Sequence, residues 1–249
     1  MLTWSNTNSA GVPGVIAQQN AVVNGNQLGF FVFCPTAMDL DANSVIRNPA
    51  SRTASTIYAK GLAEHIRIQT SSGIPWFHRR ICITTRGVNE FNTPGADPGV
   101  LATQQPFTET SNGIQRLFLN TATNNAQNTL SGMLRILFKG AQNVDWTDPI
   151  IAPIDTARVT LKFDKTWTMQ SGNSNGLVRE RKLWHPMNKN VVYDEDETGQ
   201  TQGSVYFSTE SKAGMGDYYV IDVISAGAGA TSTDQILLAA NSTMYWHEK

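Results

Sequence analysis

An all-β sandwich is the fold class predicted for this 249-residue chain, and three observations predict it. Apolar and polar residues alternate in strand-like runs, helical spacing is scarce, and long turn-rich segments separate the alternating stretches. Many strands without intervening amphipathic helices argue against a parallel doubly wound sheet. A connection such as Arg86 to Gln105 is too long for a plain up-and-down barrel. A jelly roll, or another Greek-key β-sandwich with long loops and little helix, accommodates it.

The elements are expected in the following order. Residues 1–26 form an extended N-terminal segment. Strands follow at Gln27–Phe33, Leu62–Gln69, Trp76–Thr85, Ile114–Leu119 and Met133–Phe138. The clearest case places Ala157, Val159, Leu161, Phe163, Lys165, Trp167 and Met169 on one face, opposite Arg158 through Gln170 at the even positions. Such alternation marks a long strand with one buried face. Further strands are expected at Leu177–His185, Ser204–Ser208, Asp217–Ser225 and Thr243–His247, about ten in all. Thr233–Ala240, with Asp234 near its start, is the one stretch read as a short helix. Asn92–Gly99 and Ser171–Gly176 carry the Gly, Pro and Asn of turns. No fixed-period repeat and no linker-like break divides the chain, so residues 1–249 are read as a single domain.

Charged residues make up 16% of the chain, below the usual ~25%. The net charge of -1 excludes a uniformly basic nucleic-acid coat. A surface rich in Asn, Thr, Ser and Gln suits packing against other subunits better than staying apart in solution. No stretch approaches the ~18 apolar residues of a membrane span. Met1–Asn20 has neither a basic n-region nor an apolar h-region, so a soluble chain without a secretion signal or membrane partner is expected. Cys34 and Cys82 lie in apolar runs and are expected to be buried free thiols. Charge is polarised along the sequence: residues 1–190 hold 17 basic and 11 acidic side chains, +6, and residues 191–249 hold 2 and 9, -7.

The motifs divide into those that fail on context and those that stay open. Gly172-Asn-Ser-Asn-Gly176 is a literal GxSxG, but a nucleophile elbow needs a helix after it, and the next segment alternates like a strand. Gly227-Ala-Gly-Ala-Thr-Ser232 lacks the third glycine of a dinucleotide fingerprint. Asp194, Asp196, Thr198 and Gly199 begin like a calcium loop, but Val205 stands where a bidentate Glu is required. His65, His78, His185 and His247 show no metal-ligand spacing. No enzyme activity, metal or cofactor is expected.

Basic residues interleaved with aromatics, at Pro75–Arg80 and Arg179–His185, point instead to single-stranded nucleic acid, whose phosphates take cations and whose bases stack on aromatic rings. The candidates are Trp76, Arg79, Arg80, Arg179, Arg181 and Lys182. On a strand Trp76, His78 and Arg80 share one face and Phe77, Arg79 and Ile81 the other, so Trp76 or Phe77 belongs to the core. Arginines bonded to their neighbours and arginines bonded to nucleic acid both remain open.

Four segments, Tyr58-x-x-Gly-Leu62, Gly73-Ile-Pro-Trp-x-x-Arg-Arg80, Gly214-Met-Gly-Asp-Tyr-Tyr219 and Thr243-Met-Tyr-Trp-His-Glu-Lys249, occur in an order that resembles the capsid proteins of genomoviruses, small circular single-stranded DNA viruses. The resemblance runs from about residue 27 to the last residue. It implies a jelly-roll coat protein in a small icosahedral (T=1, 60-subunit) shell around circular single-stranded DNA, found in the virion and, during assembly, in the host nucleus. Family members usually open with a long Arg- and Lys-rich arm, whereas Met1–Leu40 here contains neither residue. DNA condensation is therefore not assigned to these residues. The competing expectation is a β-sandwich binding module that uses its Asn- and Thr-rich loops for a carbohydrate or protein ligand.

Overall fold

The computed structural model describes residues 1–40, 51–195, 197–198, 201–202 and 205–248. In chain order they form β1 (Thr3–Thr7), β2 (Pro13–Ala17), β3 (Ala21–Asn24), β4 (Gly29–Phe33), β5 (Thr56–Thr70), β6 (Trp76–Thr85), β7 (Thr108–Thr110) and β8 (Gly113–Phe118). The helix α1 (Gln127–Leu137) precedes β9 (Thr160–Met169), β10 (Val178–Val192), β11 (Glu197–Thr198), β12 (Thr201–Gln202), β13 (Asp217–Ala226) and β14 (Gln235–Glu248). The chain is all-β in class, as predicted, with one α-helix among the described residues.

Two four-stranded antiparallel sheets dominate, ordered β10-β5-β14-β3 and β4-β13-β6-β9. Their inner faces pack together: Ala21, Val23, Ile66, Ile68, Ile236 and Leu238 of the first sheet meet Phe31, Trp76, Met169 and Ile224 of the second. At the other end Ile57, Ala59, Leu62, Val191 and Met244 meet Cys82, Tyr218 and Val220. A third sheet, β2-β1-β8-β7, the two-stranded pair β11-β12 and α1 complete the regular structure of the described residues, beside a short 3-10 turn at Thr121–Thr123. Cys34 and Cys82 are buried and free.

The helix corrects one expected strand. Leu130, Met133, Leu134 and Leu137 recur at the helical i, i+3, i+4, i+7 spacing and are all buried, where they meet Phe30, Ile81 and Tyr219 from the outer face of the second sheet. Asp97, thirty-one residues upstream, accepts the amide protons of Asn128 (2.6 Å) and Thr129 (3.0 Å), and its carboxylate complements the positive helix N-terminus. The expected helix at Thr233–Ala240 is corrected in the opposite sense. Gln235–Glu248 is a strand between β5 and β3, because pairing on both sides with buried Ile236 and Leu238 overrides a weak local helical pattern.

Two other expectations shift. The N-terminal residues are built into the sheets: β3 is wholly buried and pairs with β14, and β1 pairs with β8 in parallel. The strand expected from Ala157 begins at Thr160, and its apolar face is only partly covered because β9 is an edge strand. Leu161 and Lys165 are exposed, and Phe163 and Trp167 are half-buried. A bulge opposite Cys82 and Ile83 also breaks its alternation at Lys162. Of the strand expected at Ser204–Ser208, Ser204 lies outside the described residues and Ser208 makes an isolated bridge to Tyr193.

Candidate nucleic-acid interface

Three of the six sequence-predicted candidates are interior. Trp76 has no exposed surface and packs between the sheets, so it cannot stack on a base. Arg79 holds the Asp164 carboxylate through Nε and Nη2 (2.9 and 2.7 Å). Its Nη1 donates to the carbonyls of Pro149 and Ala152 (2.9 and 2.7 Å), tying the 138–159 loop to β6.

Arg80 lies in a fully buried ionic seam between the two apolar ends of the sandwich. Its Nε and Nη2 bind both oxygens of Asp222 (2.9 and 2.8 Å), and Nη1 donates to Glu64. Arg116 from β8 donates to Asp222 (2.7 Å), and its Nε stands 3.3 Å from Glu64. His78 Nε2 meets Asp222 at 2.7 Å, His185 Nε2 is 3.4 Å from Glu64, and the Ser242 hydroxyl donates to Glu64 at 3.1 Å. Burial opposes ionisation of Glu64, but Arg80 and then Arg116 outweigh it and hold the carboxyl at about 2. Asp222 is likewise held well below the carboxylate range: burial works against it, and the attraction of Arg80 prevails. Burial lowers the His78 pKa, so its ring is neutral near pH 7. Of the arginines that sequence reasoning offered to DNA, Arg80 is spent on two buried acids and Arg79 on Asp164.

Arg179, Arg181 and Lys182 remain. Alternation along β10 sends Lys182 to the outer face of the β10-β5-β14-β3 sheet and Arg179 and Arg181 toward the opposite side, at the open edge of the sandwich. At that edge the Arg181 guanidinium lies 4.5 Å from the centre of the Trp167 ring, with the Lys165 ammonium 5.6 Å from the same centre. Arg181 Nη1 is buried without a hydrogen-bond partner among the described residues. Burial, and next the charge of Arg80, press the Arg181 pKa below its ordinary value.

Around Lys182 the outer sheet face carries an aromatic platform that the sequence reading did not assemble. Trp184 and Tyr245 are about half exposed, with ring centres 5.9 Å apart at 59°. Tyr58 and His247 lie stacked at 6.3 Å and 26°. Gly61, between Pro186 and Tyr245 in the sheet register, makes room for the first pair: a Cβ there would fall 2.6 Å from the Trp184 indole. Lys60, Arg67 and Lys182 are exposed with these rings, and Glu180 faces His65 at 3.3 Å. Exposed rings between cations can stack on unpaired bases while the cations take phosphates; each stacked base contributes about 1–3 kcal/mol. The signal for this face was the two-residue spacing of Lys182 and Trp184, which puts both on one side of a strand.

The remaining motifs sit in turns. Gly172–Gly176 connects β9 to β10, with a strand on each side, and Gly227–Ser232 connects β13 to β14. The calcium-like segment lies partly outside the described residues. Among the described residues no group of three or more His, Cys, Asp and Glu is placed to hold a metal ion. No helix of the described residues is long and apolar enough to cross a membrane. The chain matches no protein-family model and no curated protein sequence.

Proposed function

We propose that this chain is a virus coat protein: a jelly-roll subunit, many copies of which close into a small icosahedral shell around single-stranded DNA. One observation carries the reading. Numbered in chain order, the eight strands of the two large sheets fall as sixth-third-eighth-first in one and second-seventh-fourth-fifth in the other. This order agrees with the interleaving of two Greek keys expected of a jelly roll, an architecture used by capsid subunits, and so supports the reading. The resemblance of the four short motifs to genomovirus capsid proteins points the same way. Further support comes from bare aliphatic side chains on loops and on the edge strand β2, with Val12, Val15, Val88, Val144 and Ile151 each more than half exposed. Burial of such loops against neighbouring copies would supply the interface of an assembled shell. In this reading the face bearing Trp184, Tyr245, Lys182 and Arg67 meets the DNA, and the genome and the other copies of the chain are its partners in the virion.

A second reading has its own observation. A cleft of about 720 Å³ lined by Ser55, Thr56, Tyr58, Asn190 and His247 offers ring faces, hydroxyls and an amide, a lining suited to a sugar, and lectins also use jelly rolls. Native mass measurement and negative-stain imaging of the purified chain decide between them. Closed, uniform particles are expected. A stable monomer or dimer under all assembly conditions would overturn the coat reading in favour of the binding module.

A further inference from the structure

The Gly214-Met-Gly216 turn and the two lysines nearest to it are left unexplained by the sheet-face reading. They meet in a cleft of about 450 Å³ where the β6 end, the β9 start and the far part of β10 converge. Arg86, Arg158, Lys162 and Lys189 line it together with the hydroxyl-bearing Thr84 and Thr160, and among the described residues no carboxylate is part of the lining. We propose that this cleft is a binding site for phosphate groups, either of free phosphate or of a nucleic-acid strand. The inference does not depend on the coat reading.

The backbone is shaped to build this concentration of charge. Lys162 sits in the β9 bulge, where Leu161 pairs with Ile83 and Phe163 with Cys82, leaving Lys162 without an opposite residue. Lys189 follows a second irregularity, between Pro186 and Lys189 of β10, where Asn188 takes a φ of 48°. Bulges re-aim side chains and recur next to functional sites. Here two of them, on edge strands of different sheets, bring one lysine each to the same cleft. The opposite wall needs glycine: Gly214 and Gly216 have φ of 71° and 82°, and a Cβ on Gly216 would fall 2.5 Å from the Thr85 carbonyl oxygen and 2.7 Å from the Arg86 side chain.

The cations are largely uncompensated. Arg86 donates to the Gly214 carbonyl, which fixes its guanidinium without neutralising it. Arg158 is the exception, with Asp155 at 3.3 Å and a bond to the Arg135 carbonyl. Among the described residues neither Lys162 nor Lys189 has an ion-pair partner. Four converging positive groups favour a multiply charged anion, and two guanidiniums with hydroxyl donors match the oxygens of a phosphate better than a single carboxylate.

The test is titration of the full chain at low salt with inorganic phosphate and, separately, with a thymidine oligonucleotide, using wild type, K162A/K189A and K162R/K189R, with near-ultraviolet circular dichroism to check the fold. The expected result is a loss of phosphate affinity of tenfold or more in the alanine pair and retention in the arginine pair. If the strand is the source, the slope of log affinity against log salt for the oligonucleotide also falls by about 1.4, at about 0.7 per cation removed. Loss of phosphate binding with unchanged oligonucleotide binding assigns the cleft to free phosphate. Equal affinity of wild type and the alanine pair for both probes, or binding of neither probe by wild type, overturns the proposal. A chain that forms no particles but shows the expected loss would refute the coat reading and leave the cleft standing.

Discussion

Asp222 occupies a position where a β-sandwich ordinarily keeps an aliphatic side chain, between Val220 and Ile224 on the inward side of β13. Glu64 does the same between Leu62 and Ile66. Their phase was visible in the sequence: each is a charge in step with an apolar face, which marks a buried partner rather than a solvent contact. What alternation could not give was the partner, because Arg116 arrives from a strand of the third sheet. Removing one member of a buried ionic network leaves the others uncompensated, and Asp222→Leu is expected to cost about 3–5 kcal/mol in denaturant unfolding. Acid acts on the same groups. Glu64 is held at about 2 against an ordinary value of 4.5, so its contribution is complete above 4.5 and is lost as pH falls toward 2. Burial raises Asp217 from 3.8 to about 6, so the folded state takes up its proton first and gains stability as pH falls through 6 toward 3.8. Stability measured against pH should peak at about pH 4.5, with the acid limb flattened by Glu64→Gln and the upper limb by Asp217→Asn. A profile unchanged by both substitutions would refute this assignment.

Among the elements, strands made of an apolar run were legible and mixed patterns were not. β4, β6, β8 and β13 fall within a few residues of their expected positions, since each carries an apolar run bounded by turn residues. Met133–Phe138 is a compact apolar run of the kind that periodicity alone cannot assign, and Leu130 supplied the missing helical spacing. In β14 long-range pairing made the decision, which no local window contains. Register also decided the candidate site: it set Trp184 beside Tyr245 across Gly61, residues that are far apart in the chain. Gly61→Ala would press a methyl group against the indole and against the His185 carbonyl oxygen, at 2.6 and 2.7 Å. The expected cost is about 1–3 kcal/mol of stability, with a shifted tryptophan emission spectrum and weaker oligonucleotide binding. Unchanged emission and binding would show that the two rings do not depend on this glycine.

For the whole molecule, the division into a +6 stretch and a -7 stretch describes the sequence better than it describes the surface. Asp222 comes from the acidic stretch and Glu64, Arg80 and Arg116 from the basic one, and the four cancel inside the sandwich. Among the described residues, the exposed cations left on the β10-β5-β14-β3 face are Lys60, Arg67 and Lys182. If these three each neutralise a phosphate, the slope of log affinity against log salt for a single strand should be about -2, at about -0.7 per contact. An affinity indifferent to salt would exclude this face as a phosphate contact. The ionic seam has another consequence, for how such a sequence can change over generations. The apolar groups around Ile66 and those around Ile57 lie on either side of it, so each set can exchange one aliphatic side chain for another without refitting the other. Glu64, Arg80, Arg116 and Asp222 have no such freedom, because altering one strands the rest. Drift should therefore run freely through the two greasy ends of the sandwich while the charged middle is inherited as a block.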